Sequence, residues 1–354
     1  MAYDRILAMK LRSMGDTVIM TAALTELRAA YPSAEIHVAV TDLWAPLLKG
    51  HPAVDKILTY TRYRDTPSRA KAIAGLAIKL RKEHFDCVVN FHASPSSAMV
   101  AFATGAKVRS IHFHGHRDRN RYSTTLIAGK GTVKPIVERD MDAIRALGID
   151  VPEGRLPSLK LDDRDLAQAE KLLASRGVKG PVLAIAVGAS RPTKMWPMER
   201  FAAVARAWRA KTGGGVIAVG AGESERELVT ELSKVIGGKD PLVQILDYPI
   251  REMAAILAKS KVVVGNDSGP RHIAVAVGTP TVTLIGPEHP LEWHPYPRDR
   301  HPYFYLDGLA CRRDAMPGMP AWCGLNVCVE EKHRCMLGIQ EEPVITEVLR
   351  VSQL

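Results

Sequence analysis

GNDSGPRHIAVAVGTPTVTLIGP, residues 265–287, decides the reading of this chain. The apolar, β-branched run KVVV leads into it and TVTLI lies near its end, and both have the character of buried strands. Between them Asp267, Ser268, Gly269, Pro270 and His272 lead into a helical run, IAVAVG. An acid, a hydroxyl, a glycine and an imidazole are therefore gathered at a strand-to-helix joint. Gly269 lets backbone come close to a ligand. Pro270 suits a first helical turn, where its missing N–H leaves nothing unpaired. The free N–H groups of residues 268–271, with the helix dipole, form an anion site suited to a phosphate or pyrophosphate. Asp267 does not suit an anion; it suits a sugar hydroxyl or the N-cap. His272, one turn into the helix, is placed to donate to a phosphate oxygen. A structural turn with a capping acid and a core histidine accounts for the same residues, so the stretch alone leaves both readings open.

Outward from this joint the chain repeats one grammar. In the second half GPVLAIAVGA, GGVIAVGA, KVVVGN and PTVTLIG read as strands, and PMERFAAVARAWRAK, SERELVTELSKVIGG and REMAAILAKS as helices. In the first half RILAMKL, EIHVAV, FDCVVN and KVRSIHF are strands, separated by helices through VIMTAALTELRAAYP, RAKAIAGLAIKLRKEH and SPSSAMVAFATGA. Strand–helix alternation at this spacing means parallel βαβ units. Residues 152–165 have the prolines, glycine and charges of a linker. The expectation is an α/β chain of two doubly wound, Rossmann-like domains facing a cleft: residues 1–160, residues 161–340, and a helix over 341–354 that packs back toward the first domain. Ligands of such sheets bind beyond the carboxyl ends of the strands. SMGD, after the first strand, and GNDSGPRH both fall there. Gly15 allows the turn, and Asp16 is expected as the helix N-cap.

Composition narrows the function. With 46% hydrophobic and 24% charged residues in 354, the chain reads as an ordinary soluble protein. No apolar run reaches the ~18–20 residues of a bilayer span. Asp4 and Arg5 interrupt the start in a way a secretory signal would not, so a cytoplasmic location is expected. The net charge is +10, and it is uneven: residues 1–150 hold 22 Lys/Arg against 14 Asp/Glu, and residues 151–354 hold 26 against 24. The first half thus favours an anionic partner. Aromatic residues are 6% and few are interleaved with arginines, which argues against nucleic acid.

The joint motif resembles the signature of the lipopolysaccharide core heptosyltransferases, glycosyltransferase family 9. The shared pattern is D-[ST]-G-x-x-H followed by G-T-P-T-V and G-P. The chain keeps Asp267, Ser268, Gly269, His272, Gly278, Thr279, Pro280, Gly286 and Pro287, and departs at Val275 and Val277. RILAMKLRSMGDTVIM resembles the family's opening as well. The resemblance implies the GT-B fold and an inverting transfer of heptose from ADP-heptose to a hydroxyl of the lipid A-core acceptor at the inner leaflet. It implies Asp16 as general base, and Ser13, Gly15, Ser190, Lys194, Glu223, Asp267, Ser268, Gly269 and His272 around the donor. In that scheme Lys194 is a point charge on the diphosphate and Glu223 holds the ribose, with Glu225 and Glu227 close enough to blur that register. Tyr248 and Pro249 are further candidates, against the adenine. A GT-B-like transferase or epimerase using another nucleotide sugar keeps the same motifs and stands as the alternative.

Two features stand outside the motifs. Arg12, Arg117, Arg119 and Arg121 form a basic acceptor side, beside alternating His112, His114 and His116. Those histidines lack the carboxylate or thiol that a metal set needs. No D-x-D pair sits in a metal-binding context, so no cofactor is expected to be obligatory. Cys311, Cys323, Cys328 and Cys335 cluster late in the chain. Four such thiols suit a structural zinc or iron–sulfur site, but their spacing fits no common finger. Unliganded thiols remain the other reading.

Overall fold

A computed structural model describes residues 3–63, 65–112, 121–127, 134–238, 242–312, 322–330 and 333–353. The chain divides into two units, Met1–Lys160 and Leu161–Leu354.

The first unit runs β1 (Arg5–Met9), α1 (Met14–Ala30), β2 (Glu35–Thr41), β3 (Lys56–Tyr60), α2 (Thr66–Arg81), β4 (Cys87–Asn90), α3 (Pro95–Ala103), β5 (Val108–Ile111) and α4 (Ile136–Arg145). Its sheet is parallel throughout, in the order β3-β2-β1-β4-β5. Ile6, Leu7, Ala8 and Met9 are fully buried, because helices cover both faces of such a sheet and its central strand needs no polar side. Helix α1 begins earlier than the sequence suggests. Ser13, not Asp16, is its N-cap; Asp16 stands three residues in and closes a capping box.

Helix α4 is unlike its sequence. IVERDMDAIR reads as a solvated, charged helix, yet its first nine residues are all buried. The charges are paired. Lys10, just past β1, reaches Asp140 at 2.8 and 3.1 Å, Lys134 reaches Asp142 at 2.8 Å, and Arg145 bridges Glu138 and Asp142.

The second unit runs α5 (Asp163–Ser175), β6 (Val182–Ala186), α6 (Met198–Thr212), β7 (Gly215–Gly220), α7 (Gly222–Ile236), β8 (Val243–Leu246), α8 (Ile250–Ala258), β9 (Val262–Asn266), α9 (Gly269–Ala276), β10 (Thr281–Leu284), α10 (Pro290–Trp293), β11 (Tyr303–Phe304), α11 (Arg334–Leu337) and α12 (Glu341–Val351). Its six parallel strands lie in the order β11-β10-β9-β6-β7-β8. Trp196, Phe201 and Trp208 anchor the core, and the Trp196 indole N–H donates to the Ile339 carbonyl at 3.0 Å. Val344, Val348 and Val351 recur on one face of α12 and join this same core. Residues 341–351, expected to pack toward the first domain, therefore carry their apolar face into the second unit.

Each sheet reverses its strand order once. The first does so between β1 and β4, the second between β6 and β9. The loops that leave those strand ends diverge, and the space they open is where α/β sheets hold ligands.

Candidate functional sites at the two strand-order reversals

At the first reversal the loop after β1 carries Arg12, Ser13, Gly15 and Asp16. The Ser13 backbone N–H and its hydroxyl both donate to Asp16 Oδ2 at 2.9 Å. The carboxylate is partly exposed and is held in one place with Oδ1 left over. Behind it lies the buried Lys10–Asp140 pair, with side-chain exposures of 3% and 0%. Burial pushes the Asp140 carboxyl up to about 6 against the pull of Lys10, and the charge of Asp16 pushes the same way. Asp16 is thus close enough to its buried neighbour to be felt electrostatically.

The loop after β4 forms the other wall. Asn90 is fully buried at the strand end; its Oδ1 accepts from the His92 N–H at 3.0 Å and its Nδ2 donates to Ser97 Oγ at 3.1 Å. A cavity of about 690 Å³ opens beside these two loops. Its polar end holds Arg12, Arg62, Arg69, His92 and Ser94, and its apolar wall is built from α2 and α3. Arg62 and Arg69 escaped the sequence reading. Their signal was their position after β3 and in the first turns of α2, which is visible only once β3 is recognised as a strand. Arg121 lies elsewhere, with its guanidinium 4.6 Å from the Tyr122 ring centroid and bonded to the Tyr122 hydroxyl. Arg117, Arg119, His114 and His116 lie outside the described residues.

At the second reversal a buried asparagine again organises the ends. Asn266 Oδ1 accepts from the Trp196 N–H at 3.0 Å, and its Nδ2 donates to the Val187 carbonyl at 2.7 Å. This clamps the loop after β6 onto the end of β9. Lys194 and Asp267 meet there at 2.5 Å, and Arg271 bonds the other oxygen of Asp267. Burial alone would raise the Asp267 carboxyl, but Lys194 and Arg271 outweigh it and hold the group well below the usual carboxylate range. Lys194 is therefore a lysine fixed by an acid, not a free point charge. One of its three N–H donors is engaged by Asp267, which leaves two for a ligand.

His272 lies one turn into α9. It is 5% exposed, its Nδ1 meets the Tyr296 hydroxyl at 2.5 Å, and burial, reinforced by Arg271, drops its pKa well below the ordinary value. Burial thus disfavours the charged ring, while a neutral imidazole keeps one N–H donor. Ser268 is the N-cap of α9, and its hydroxyl oxygen is buried with no protein partner. Ser190 is exposed in the loop after β6.

Glu223 is exposed in the first turn of α7, while Glu225 turns inward. Glu225 Oε2 accepts from the Ala221 N–H at 2.8 Å, and burial raises its carboxyl. It lies so close over the end of β6 that a Cβ at Gly188 would fall 2.1 Å from its Oε1, so a larger residue there would have to displace the Glu225 side chain. Tyr248 is bonded to Arg176 at 3.1 Å, and Pro249 is the N-cap of α8.

The four late cysteines come together with His333 around a cavity of about 20 Å³. Burial pushes the Cys335 thiol up to about 11. Among the described residues no group of three or more His, Cys, Asp or Glu is arranged to hold a metal ion. The tail does brace the second site: His333 Nε2 lies 2.9 Å from the Thr193 carbonyl, and the Thr193 hydroxyl donates to the Leu325 carbonyl at 2.7 Å.

The sequence profile of glycosyltransferase family 9 (heptosyltransferase) matches residues 73–304. That span holds the loops of Lys194 and Asp267 and begins after the Asp16 loop. Lipopolysaccharide heptosyltransferase 3 of Escherichia coli K12 is 26% identical over 294 residues, covering 81% of this chain and 83% of that protein. A glycosyltransferase family 9 structure from Veillonella parvula superposes with a TM-score of 0.82 at 19% identity, covering 99% and 98% of the two chains. The ADP-heptose lipopolysaccharide heptosyltransferase II of E. coli gives 0.77 at 20% identity, with the same coverage. These likenesses carry the fold, the GT-B architecture of two parallel sheets.

Proposed function

The chain belongs to glycosyltransferase family 9, the heptosyltransferase family, and on that premise we propose that it moves a heptose from ADP-heptose to a hydroxyl of the lipid-linked lipopolysaccharide inner core, with inversion. The observation that carries the reading is that each strand-order reversal is built as a charged site of the kind one substrate needs. The first offers a partly exposed carboxylate beside an arginine-lined cavity. The second offers a helix start with a fixed lysine.

In this reading Asp16 Oδ1 takes the proton of the acceptor hydroxyl as it attacks the anomeric carbon. Ser13 holds the carboxylate by its other oxygen. Arg12, Arg62 and Arg69 meet the anionic groups of the acceptor. The donor's diphosphate lies at the start of α9, where the N–H groups of Ser268 and Gly269 and the helix dipole favour negative charge. The two remaining Lys194 donors stabilise the leaving diphosphate. Asp267 and Arg271 position Lys194 and do not touch the nucleotide. Glu225, rather than Glu223, is the acid placed to accept from the ribose hydroxyls. No metal is required for this charge balance. No helix among the described residues is long and apolar enough to cross a membrane, which fits an enzyme working at the inner face of the inner membrane from the cytoplasmic side.

The test is direct. The purified chain is incubated with ADP-heptose and a core acceptor lacking the terminal heptose. Mass spectrometry is expected to show one added heptose, and proton NMR a new linkage of anomeric configuration opposite to the donor's. Transfer only from a different nucleotide sugar, or epimerisation without transfer, would replace this reading.

A further inference from the structure

The cavity between α2 and α3 runs out into an apolar strip. Ala74 of α2 and Met99 of α3 stand on its walls. One turn further along each helix, on the same faces, come Ile78 and Phe102. These large side chains are 61% and 52% exposed, and Met99 is 57% exposed. Only Leu76 and Leu80 of α2 are buried, so most of that helix is turned outward.

The two helices that border the strip carry charge of one sign. Residues 66–82 contain Arg69, Lys71, Lys79, Arg81 and Lys82 and no acid, and residues 90–107 contain no acid either. The flanking acids are engaged: Asp65 accepts from the Ser68 N–H at 2.8 Å and Glu83 holds Lys56 at 2.9 Å. Arg109 adds a cation 5.5 Å from the Phe102 ring centroid. An apolar strip bordered by cations matches the boundary between anionic headgroups and acyl chains, where amphipathic helices lie. Each lysine or arginine near such a surface adds attraction.

We propose that the outward face of α2 and α3 docks the chain on an anionic phospholipid bilayer, with Ile78, Met99 and Phe102 entering the acyl boundary and the surrounding cations meeting the lipid phosphates. The inference deepens the proposed function: its use rests on a lipid-linked acceptor, while its evidence is the face itself. The inner end of the cavity is the loop of Leu11 and Arg12, which leads directly to Asp16. An acceptor lifted from the bilayer along α2 and α3 reaches the base without leaving the protein surface.

The full chain is sedimented with vesicles of phosphatidylcholine alone and of phosphatidylcholine with phosphatidylglycerol. Binding is expected only to the anionic vesicles, and to weaken as salt screens the charges. Lys71→Glu with Lys79→Glu, and separately Ile78→Ser with Phe102→Ser, should each weaken it about tenfold or more. Circular dichroism and the melting temperature verify that the variants fold. Both double variants should keep wild-type turnover on a deacylated, water-soluble acceptor and lose turnover on a vesicle-embedded one. Absence of wild-type binding to anionic vesicles would overturn the proposal, as would variants that bind like the wild type. Equal loss of turnover on both acceptors would also overturn it, by placing the face in the site. Vesicle binding that behaves as expected in a chain without heptose transfer would leave the docking face standing and remove the proposed reaction instead.

Discussion

Asp140 and Asp267 are buried almost equally, at 0% and 5% exposure, and their carboxyls are driven in opposite directions. Among the described residues Asp140 forms an ion pair with one side chain, Lys10, and it also feels the like charge of Asp16 and the weaker pull of Arg139. There burial wins, and the group rises to about 6. Asp267 pairs with two side chains, Lys194 and Arg271. Together they outweigh the same burial and hold it ionised. The balance of close charges around each group decides whether a buried acid responds to pH near neutrality or is locked as a charge. The first unit therefore has a titratable pair behind its carboxylate loop, while the second has a rigid ionic clamp at the start of α9.

The clamp is the more costly to break. Arg271→Met removes one cation and leaves Asp267 short of its balance inside a dry site. The expected loss is about 3–5 kcal/mol, the range for breaking a buried pair from one side. Urea unfolding of the variant measures it, and a loss under about 1 kcal/mol would show that Lys194 alone suffices.

Lys10→Met breaks the other pair, but Asp140 has an escape, since it can take a proton. The loss is expected to be smaller, about 1–3 kcal/mol, and to depend on pH. A carboxyl whose folded pKa lies above its unfolded one contributes fully below the unfolded value, and that contribution is lost as pH rises through the folded value. In the wild type the window runs from about 4 to about 6. Without Lys10 the folded value rises further, so the variant should lose more stability between pH 5 and pH 8 than the wild type does. A variant with the same pH profile as the wild type would remove the contrast.

The smallest expected effect concerns the nucleotide. Glu225→Ala should weaken ADP binding about tenfold, the worth of one hydrogen bond to a charged group, and Glu223→Ala should leave it unchanged. Calorimetry with ADP separates them, and the reverse pattern would restore Glu223.

How far all this is legible in the sequence follows the same division. Strands β1, β6 and β9 are buried on both faces, so they show as unbroken apolar runs. The motif loops then fall at their carboxyl ends without further information. Strands β3, β8 and β11 are short and partly exposed, as KILTY, VQIL and YF, and carry no comparable signal. Missing β3 hid Arg62 and Arg69. Helix α4 is hidden for another reason. Its acids look solvated until Lys10 is brought up from 130 positions away. Glu223 and Glu225 differ by two helical positions, about 200° around the axis, and only packing against Gly188 shows which one turns inward. Asn266 lies inside the quoted motif, but its clamp on Trp196 is a tertiary fact.

The account stands or falls on the carboxylate at the first reversal. Asp16→Asn keeps an acceptor for the Ser13 N–H and removes the base. Turnover with ADP-heptose and a core acceptor should fall by at least ~100-fold, with ADP affinity and melting temperature close to those of the wild type. Turnover within a few-fold of the wild type would contradict the account and leave Asp16 as the third residue of a helix cap.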